Sequence, residues 1–402
     1  MYKSLLFIFL CLIPAMVFAQ KAIDPSKQID TASKKDLVDV ARTVFHITRK
    51  PVEEKTGKSF YFSILPLSYS VPGGGRALFT STTAGFYLGD RNTTYISNIV
   101  FAPYFNFTGR YGIPFRSSVW TKDNSWNIQG DTRFLVYPQN TWGLGGAQPE
   151  SNKFTVNYQY IRFYQSALKR ITSYFYAGVG YDLDYYLDIE SNDPNSLQKF
   201  THYPYGTSTD HNSFSSGATV NLLYDTRNND LNPLPGSYAN VVYRVNGHAL
   251  GSDADWQSLY IDLRKYISLT TTKEHNLLAF WAYYWTTFGN GIPYLNLPSI
   301  GWDPYQRSGR GIEQNRYRGK SLLYFETEYR RDITANGLLG FVLFANINSV
   351  TELNTNQFSY WYPAAGSGLR IKFNKGSGTN IAIDYGFSKN YSAITLGLGE
   401  AF

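Results

Sequence analysis

The groups best equipped for chemistry in this chain are arginines and carboxylates, and their spacing suits pairing. The run Tyr324-Phe325-Glu326-Thr327-Glu328-Tyr329-Arg330 puts Glu326, Glu328 and Arg330 on one face of a strand, opposite Phe325 and Tyr329. A planar guanidinium matches a carboxylate two bonds at a time, and once buried it is costly without such partners. Signals for catalysis are missing. The five histidines (His46, His202, His211, His248, His275) are scattered without metal-ligand spacing. The single cysteine, Cys11, falls within the first 19 residues. Gly-Ser-Gly at 366–368 and 376–378 flanks a hairpin and makes no nucleophile elbow. Asp182/Asp184 and Asp253/Asp255 read as solvated carboxylates near strand ends, not as calcium ligands. The expectation is a protein that is no enzyme, with no cofactor and no metal.

What positions those charges is a sheet. Of 402 residues, 34 are Tyr, 27 Phe and 8 Trp, with only 17% charged. After residue 20 no apolar run nears the roughly 18 residues of a spanning helix, so a helical membrane protein is excluded. Residues 1–19 read as a secretory signal: Lys3, the apolar run Leu5–Ile13, then Val17-Phe18-Ala19. Residues 20–58 are polar and form a periplasmic N-terminal segment. Ser33 is the expected N-cap of a short helix over 36–47 with Leu37, Val40, Ala41, Val44 and Phe45 on one face. That helix is either a fraying tether or a piece that docks on a periplasmic surface or plugs a barrel mouth.

From residue 59 to 402 alternating segments are separated by Gly, Asn, Asp and Pro. Sixteen are legible: 60–69, 76–88, 93–107, 112–121, 125–137, 152–165, 169–185, 213–226, 235–247, 255–269, 275–288, 320–331, 337–347, 362–373, 378–387 and 391–402. They are longer than the usual five or six residues of a soluble strand. Ile381, Ile383, Tyr385 and Phe387 share one face, Ala382, Asp384 and Gly386 the other. Leu369, Ile371 and Phe373 oppose Arg370 and Lys372, and Ile394, Leu396, Leu398 and Phe402 oppose small residues. A soluble sandwich alternates too, but strand length and aromatics near strand ends favour lipid. The fold predicted is all-β: a transmembrane antiparallel β-barrel of about sixteen strands in the bacterial outer membrane. Short turns alternate with long loops, notably 186–212 and 289–319.

The second long loop ends Gly309-Arg310-Gly311-Ile312-Glu313-Gln314-Asn315-Arg316-Tyr317-Arg318-Gly319-Lys320. With the strand after it, this resembles the BamA/TamA superfamily of outer-membrane barrels (the bacterial surface antigen family). Its members fold an Arg-Gly-aromatic loop into a sixteen-strand barrel. Asp225-Thr226-Arg227 with Pro233, Pro235 and Gly236, and the closing hairpin ending in Phe402, are similar to other family elements. The resemblance implies that Arg318, followed by Gly319, pairs with Glu328, with Glu326 or another group as second acceptor. Asn346 falls where the family has an aspartate, and Lys320 where an aromatic is usual. The resemblance also implies that Phe402 ends an assembly signal, and that the barrel is of the branch lacking POTRA domains.

Three functions fit. One is assembly, secretion or translocation of outer-membrane proteins, with a periplasmic partner and a seam between first and last strands weakened by Gly397 and Gly399. A passive porin-like channel is the second, and a structural anchor of an outer-membrane complex the third. The surplus of basic residues (37 against 30 acidic) is scattered, which suits anionic lipid and lipopolysaccharide head groups and not nucleic acid.

Overall fold

A computed structural model of the chain describes residues 34–46, 60–70, 76–106, 109–195, 211–227, 232–270, 276–289, 291–304, 306–375 and 378–402. The expected signal segment and most of the N-terminal stretch lie outside the described residues. Among the described residues, helix α1 (Leu37–Val44) is followed by eighteen strands in one sheet. The first group is β1 (Tyr61–Ser70), β2 (Arg76–Phe86), β3 (Ser97–Phe101), β4 (Tyr104–Asn106), β5 (Tyr111–Trp120) and β6 (Trp126–Val136). Next come β7 (Gln139–Thr141), β8 (Phe154–Thr172), β9 (Phe175–Ser191), β10 (Ser213–Asp225), β11 (Gly236–Asn246) and β12 (Trp256–Ser268). The last are β13 (Asn276–Phe288), β14 (Ser321–Asp332), β15 (Leu339–Val350), β16 (Tyr362–Asn374), β17 (Thr379–Phe387) and β18 (Ser392–Leu398).

Eighteen strands make sixteen spans. β3 and β4 both pair with β2 and β5, and β6 and β7 both pair with β8. Each interruption contains a proline, Pro103 or Pro138, which cannot donate to the ladder. Every span pairs antiparallel with its sequence neighbour, from β1–β2 to β17–β18. β1 and β18, at the two ends, lie side by side with Cα atoms within 8 Å. No strand pairing joins them among the described residues.

The sequence placed a break at 166–168; the chain turns instead at Ser173-Tyr174, Tyr174 having φ +66°. Leu168 is buried beside Trp120 and Tyr176, so this stretch is wall and continues as strand. α1 is capped by Asp36, whose Oδ1 accepts from Asp39 N at 2.8 Å. Ser33, the expected cap, lies outside the described residues.

The faces are sorted opposite to a soluble protein. Leu369 is 52% exposed where Arg370 is 5%, and Tyr385 48% where Asp384 is 5%. Apolar side chains point outward and ion pairs inward, which is the arrangement lipid requires. Much of the interior is protein core. Tyr158, Tyr160, Tyr186, Leu295, Leu297 and Trp302 form one apolar cluster, and Tyr266, Trp281, Tyr283, Tyr324, Ile300 and Ile312 another. Both join wall residues to the connection 289–320, which therefore folds into the lumen as a plug. With sixteen spans the termini share a rim with the short turns at 173–174 and 333–338. In outer-membrane barrels that rim is periplasmic.

Candidate functional site: the plug lock and the C-terminal tail

The lock begins with β14. Alternation sends Glu326, Glu328 and Arg330 inward, and all three are at most 3% exposed. The plug tip Gly309-Arg310-Gly311 descends onto them. Arg310 Nη2 donates to Glu326 and to Glu328, and Nη1 donates to Asp384 Oδ2 at 2.8 Å. The guanidinium lies over the Phe344 ring, 3.7 Å from its centroid. Tyr324 Oη donates to Glu326, and Arg330 Nε donates to Glu328 Oε1 at 2.6 Å. One cation thus joins the plug to β14, β15 and β17. A charge buried this deeply is tolerable only with carboxylate partners around it; Nε alone of its nitrogens finds no acceptor.

Arg318 does not reach this cluster. It is 1% exposed and closes the neck of the plug, Nη1 donating to Tyr294 O (3.0 Å) and Leu297 O (3.3 Å) and Nη2 to Asn315 Oδ1 (3.1 Å). Arg318 O accepts from Gly145 N at 2.8 Å, and Gly319 N donates to Pro298 O at 3.1 Å. The pairing expected of Arg318 therefore belongs to Arg310. The loop holds two Arg-Gly pairs, and the one next to β14 in sequence is too near the strand's outer end to reach Glu328. Glu326 and Glu328 stand where expected. Asn346 is at the lock but makes no ion pair; its Nδ2 donates to Arg310 O at 2.9 Å, and Asp384 supplies the third carboxylate.

The tail is the second component. β18 ends at Leu398, and Gly399 (φ +86°) turns the last residues inward. The expectation that Phe402 faces lipid with Leu398 fails: it is 2% exposed and packs on Trp281 and Tyr266, ring centroids 5.3 and 6.3 Å away. Arg330 Nη2 donates to Phe402 O at 2.9 Å. Glu400 accepts from Arg370 Nε (2.7 Å) and Asn380 Nδ2 (2.6 Å), and Arg307 of the plug donates to Glu400 O. Burial opposes ionisation of Glu400, but Arg370 and Arg330 outweigh it and hold its carboxyl well below the usual carboxylate range. Arg370 also pairs with Asp384 at 2.5 Å, so lock and tail form one ionic network. A side chain at Gly397 would meet nothing within 4 Å, so packing does not demand a glycine there.

Sequence reasoning missed Arg310, Arg307 and Glu400 in these roles. No local signal marks these three; the signal the sequence does hold, an acid two residues before an arginine, marks other pairs. Asp131/Arg133 (2.5 Å), Asp225/Arg227 (2.8 Å), Asp262/Arg264 (2.7 Å) and Glu328/Arg330 (2.6 Å) all pair along one strand face or its end.

Comparison with known proteins bears on the family and the fold. The model of the Omp85 superfamily domain matches residues 102–402. The chain belongs to the Omp85 superfamily. Among solved structures, this Omp85 barrel is similar to BamA from Haemophilus ducreyi lacking POTRA domains 1-3, with a TM-score of 0.53 at 14% identity. That match covers 86% of this chain and 70% of the other. It is similar also to CdiB from Acinetobacter baumannii, with a TM-score of 0.52, 11% identity, and coverage of 95% and 72%. No curated protein matches it by sequence. The Omp85 assignment places the barrel in the bacterial outer membrane, in a superfamily of assembly and secretion. Outside the barrel, the described residues contain α1 and no POTRA domain.

Proposed function

We propose that this barrel takes part in the assembly, secretion or translocation of outer-membrane proteins by opening the seam between β1 and β18. The observation that carries the reading is that these two strands stand side by side without a ladder between them among the described residues, while every other neighbouring pair of spans is fully laddered. An unpaired strand edge is a template for an incoming strand. The plug meanwhile fills the outer part of the lumen with apolar side chains, which disfavours the porin-like channel. The barrel works without catalysis, surrounded by outer-membrane lipid and lipopolysaccharide.

A periplasmic protein partner supplies client recognition in this reading. Its support is α1, which is pinned to the periplasmic rim. Lys34 pairs with Asp332 at 3.1 Å, Lys375 Nζ with Asp39 at 2.6 Å, and Lys375 N donates to Asp36 Oδ2 at 2.9 Å. Val44 and Phe45 stay exposed. The test is a disulfide engineered between β1 and β18, assayed for surface assembly of outer-membrane proteins with and without reductant. Loss that reductant reverses supports the seam; full activity in the oxidised barrel refutes it.

A further inference from the structure

Below its tip contacts, the plug crosses the lumen from the wall of β6 and β8 to the end of β18. On the far side Trp302 packs on Tyr137, between β6 and β7, and on Tyr160 of β8, with ring centroids 5.6 and 6.2 Å away. Arg133 of β6 donates to Pro304 O. Asp303 is buried and accepts from the backbone N–H of Arg307 (3.2 Å) and of Ser308 (2.9 Å), which fixes the stretch of main chain that carries the Arg307 side chain. The guanidinium then leaves the plug and forks onto backbone. Nη2 donates to Leu398 O at 3.3 Å and Nη1 donates to Glu400 O.

Leu398 is the last residue of β18, and the direction of its carbonyl is set by the residue after it. Gly399 N donates to Asn380 O of β17 at 2.8 Å. Across a trans peptide bond the C=O points opposite to the N–H, so Leu398 O points away from β17, to the side on which β1 stands. It is one of the acceptors that a strand added to β18 would use. This end of β18 is the periplasmic one, where a polypeptide arriving from the periplasm first meets the seam. A guanidinium donor makes a stronger hydrogen bond than a peptide N–H. We infer, resting on the seam reading above, that Arg307 is a blocking group: it occupies the edge of β18 against an incoming client strand, which must displace it to pair. The plug that carries Arg307 is held by β6, β8, β14 and β17. The end of β18 therefore neither moves nor receives a partner until Arg307 lets go, and opening of the seam is tied to movement of the plug.

The probe is a fluorescein-labelled peptide copying residues 60–70, the sequence that stands beside β18, and its binding to the detergent-solubilised full chain is followed by fluorescence anisotropy. Arg307→Met keeps the length of the side chain and removes its donors; it binds the peptide roughly tenfold or more tightly than the parent. Arg307→Lys falls between the two, because an ammonium cannot fork to both carbonyls. A copy of the peptide with its central backbone nitrogens methylated has no donors for the edge and gains nothing from either substitution. Heat-shifted gel mobility confirms folding, and should Arg307→Met not fold, Arg307→Lys carries the comparison. Equal affinity for the parent and the folded variants, binding to none of them, or a gain that the methylated copy shares overturns the inference. The seam reading falls on a different result, full activity of the barrel with β1 and β18 cross-linked.

Discussion

Gly311 at the plug tip and Gly386 of β17 meet backbone to backbone. A β-carbon on Gly386 would sit 2.6 Å from Gly311 N, and one on Gly311 2.5 Å from Phe387 N. Gly311 also has φ +89°, so two independent constraints exclude a side chain there. This contact sets how far the plug descends, and hence whether Arg310 reaches its carboxylates.

Gly386→Val therefore lifts the tip without touching any charged residue. The expected result is a steady conductance in planar bilayers where the parent barrel is nearly silent. An unchanged current would show that the tip does not need this approach.

Arg310→Ala leaves Glu326, Glu328 and Asp384 buried around a missing cation, at a cost of about 3–5 kcal/mol. The urea midpoint of the barrel should fall markedly. Arg310→Lys should recover only part, because an ammonium cannot fork to three carboxylates. Arg318→Ala should leave the Glu326–Glu328–Asp384 cluster intact and loosen the neck of the plug, seen as faster proteolysis near residues 294–300.

Much of this was legible beforehand. Strand alternation gave the number of spans, with one break misplaced at 166–168, and put Glu326, Glu328 and Arg330 inside, because a period of two leaves no other choice of face. The plug tip was harder to read. Arg310 and Arg318 have the same following residue, and which reaches β14 depends on how the loop folds over Tyr294 and Leu297, a tertiary matter. The tail was misread for a related reason. Gly399 ends the alternation at φ +86°, so counting by twos from Leu398 to Phe402 carried a pattern past the point where it holds.

The tail offers a pH prediction with a definite sign. A folded-state value below that of the unfolded chain means that Glu400 contributes stability above the ordinary carboxylate range and loses it only as pH falls through the lower folded value. Hydrogen exchange of the peptide spanning 392–402 should thus stay slow at pH 5 as at pH 7. Glu400→Gln should exchange faster at both. Equal protection in Glu400→Gln would show that Phe402 alone holds the tail.

Asp36→Ala removes both the cap of α1 and the acceptor for Lys375 N, costing the helix about 1 kcal/mol or somewhat more. Cysteines replacing Lys34 and Asp332 should cross-link readily in the parent and slowly in Asp36→Ala. Rapid cross-linking in both would mean that the Lys375–Asp39 pair holds α1 in place without the cap.

The acid–arginine pairs spaced by two carry a consequence for how the barrel is born. A strand that brings its own counter-ion presents no bare charge to its surroundings, so it is electrically ready whenever its neighbours arrive. Arg310 differs in lying on the plug, outside every strand, with its partners divided between β14 and β17. It finds neutrality only after that stretch of wall is in place, which makes stoppering the lumen the closing event of biogenesis and leaves the pore unsealed until then.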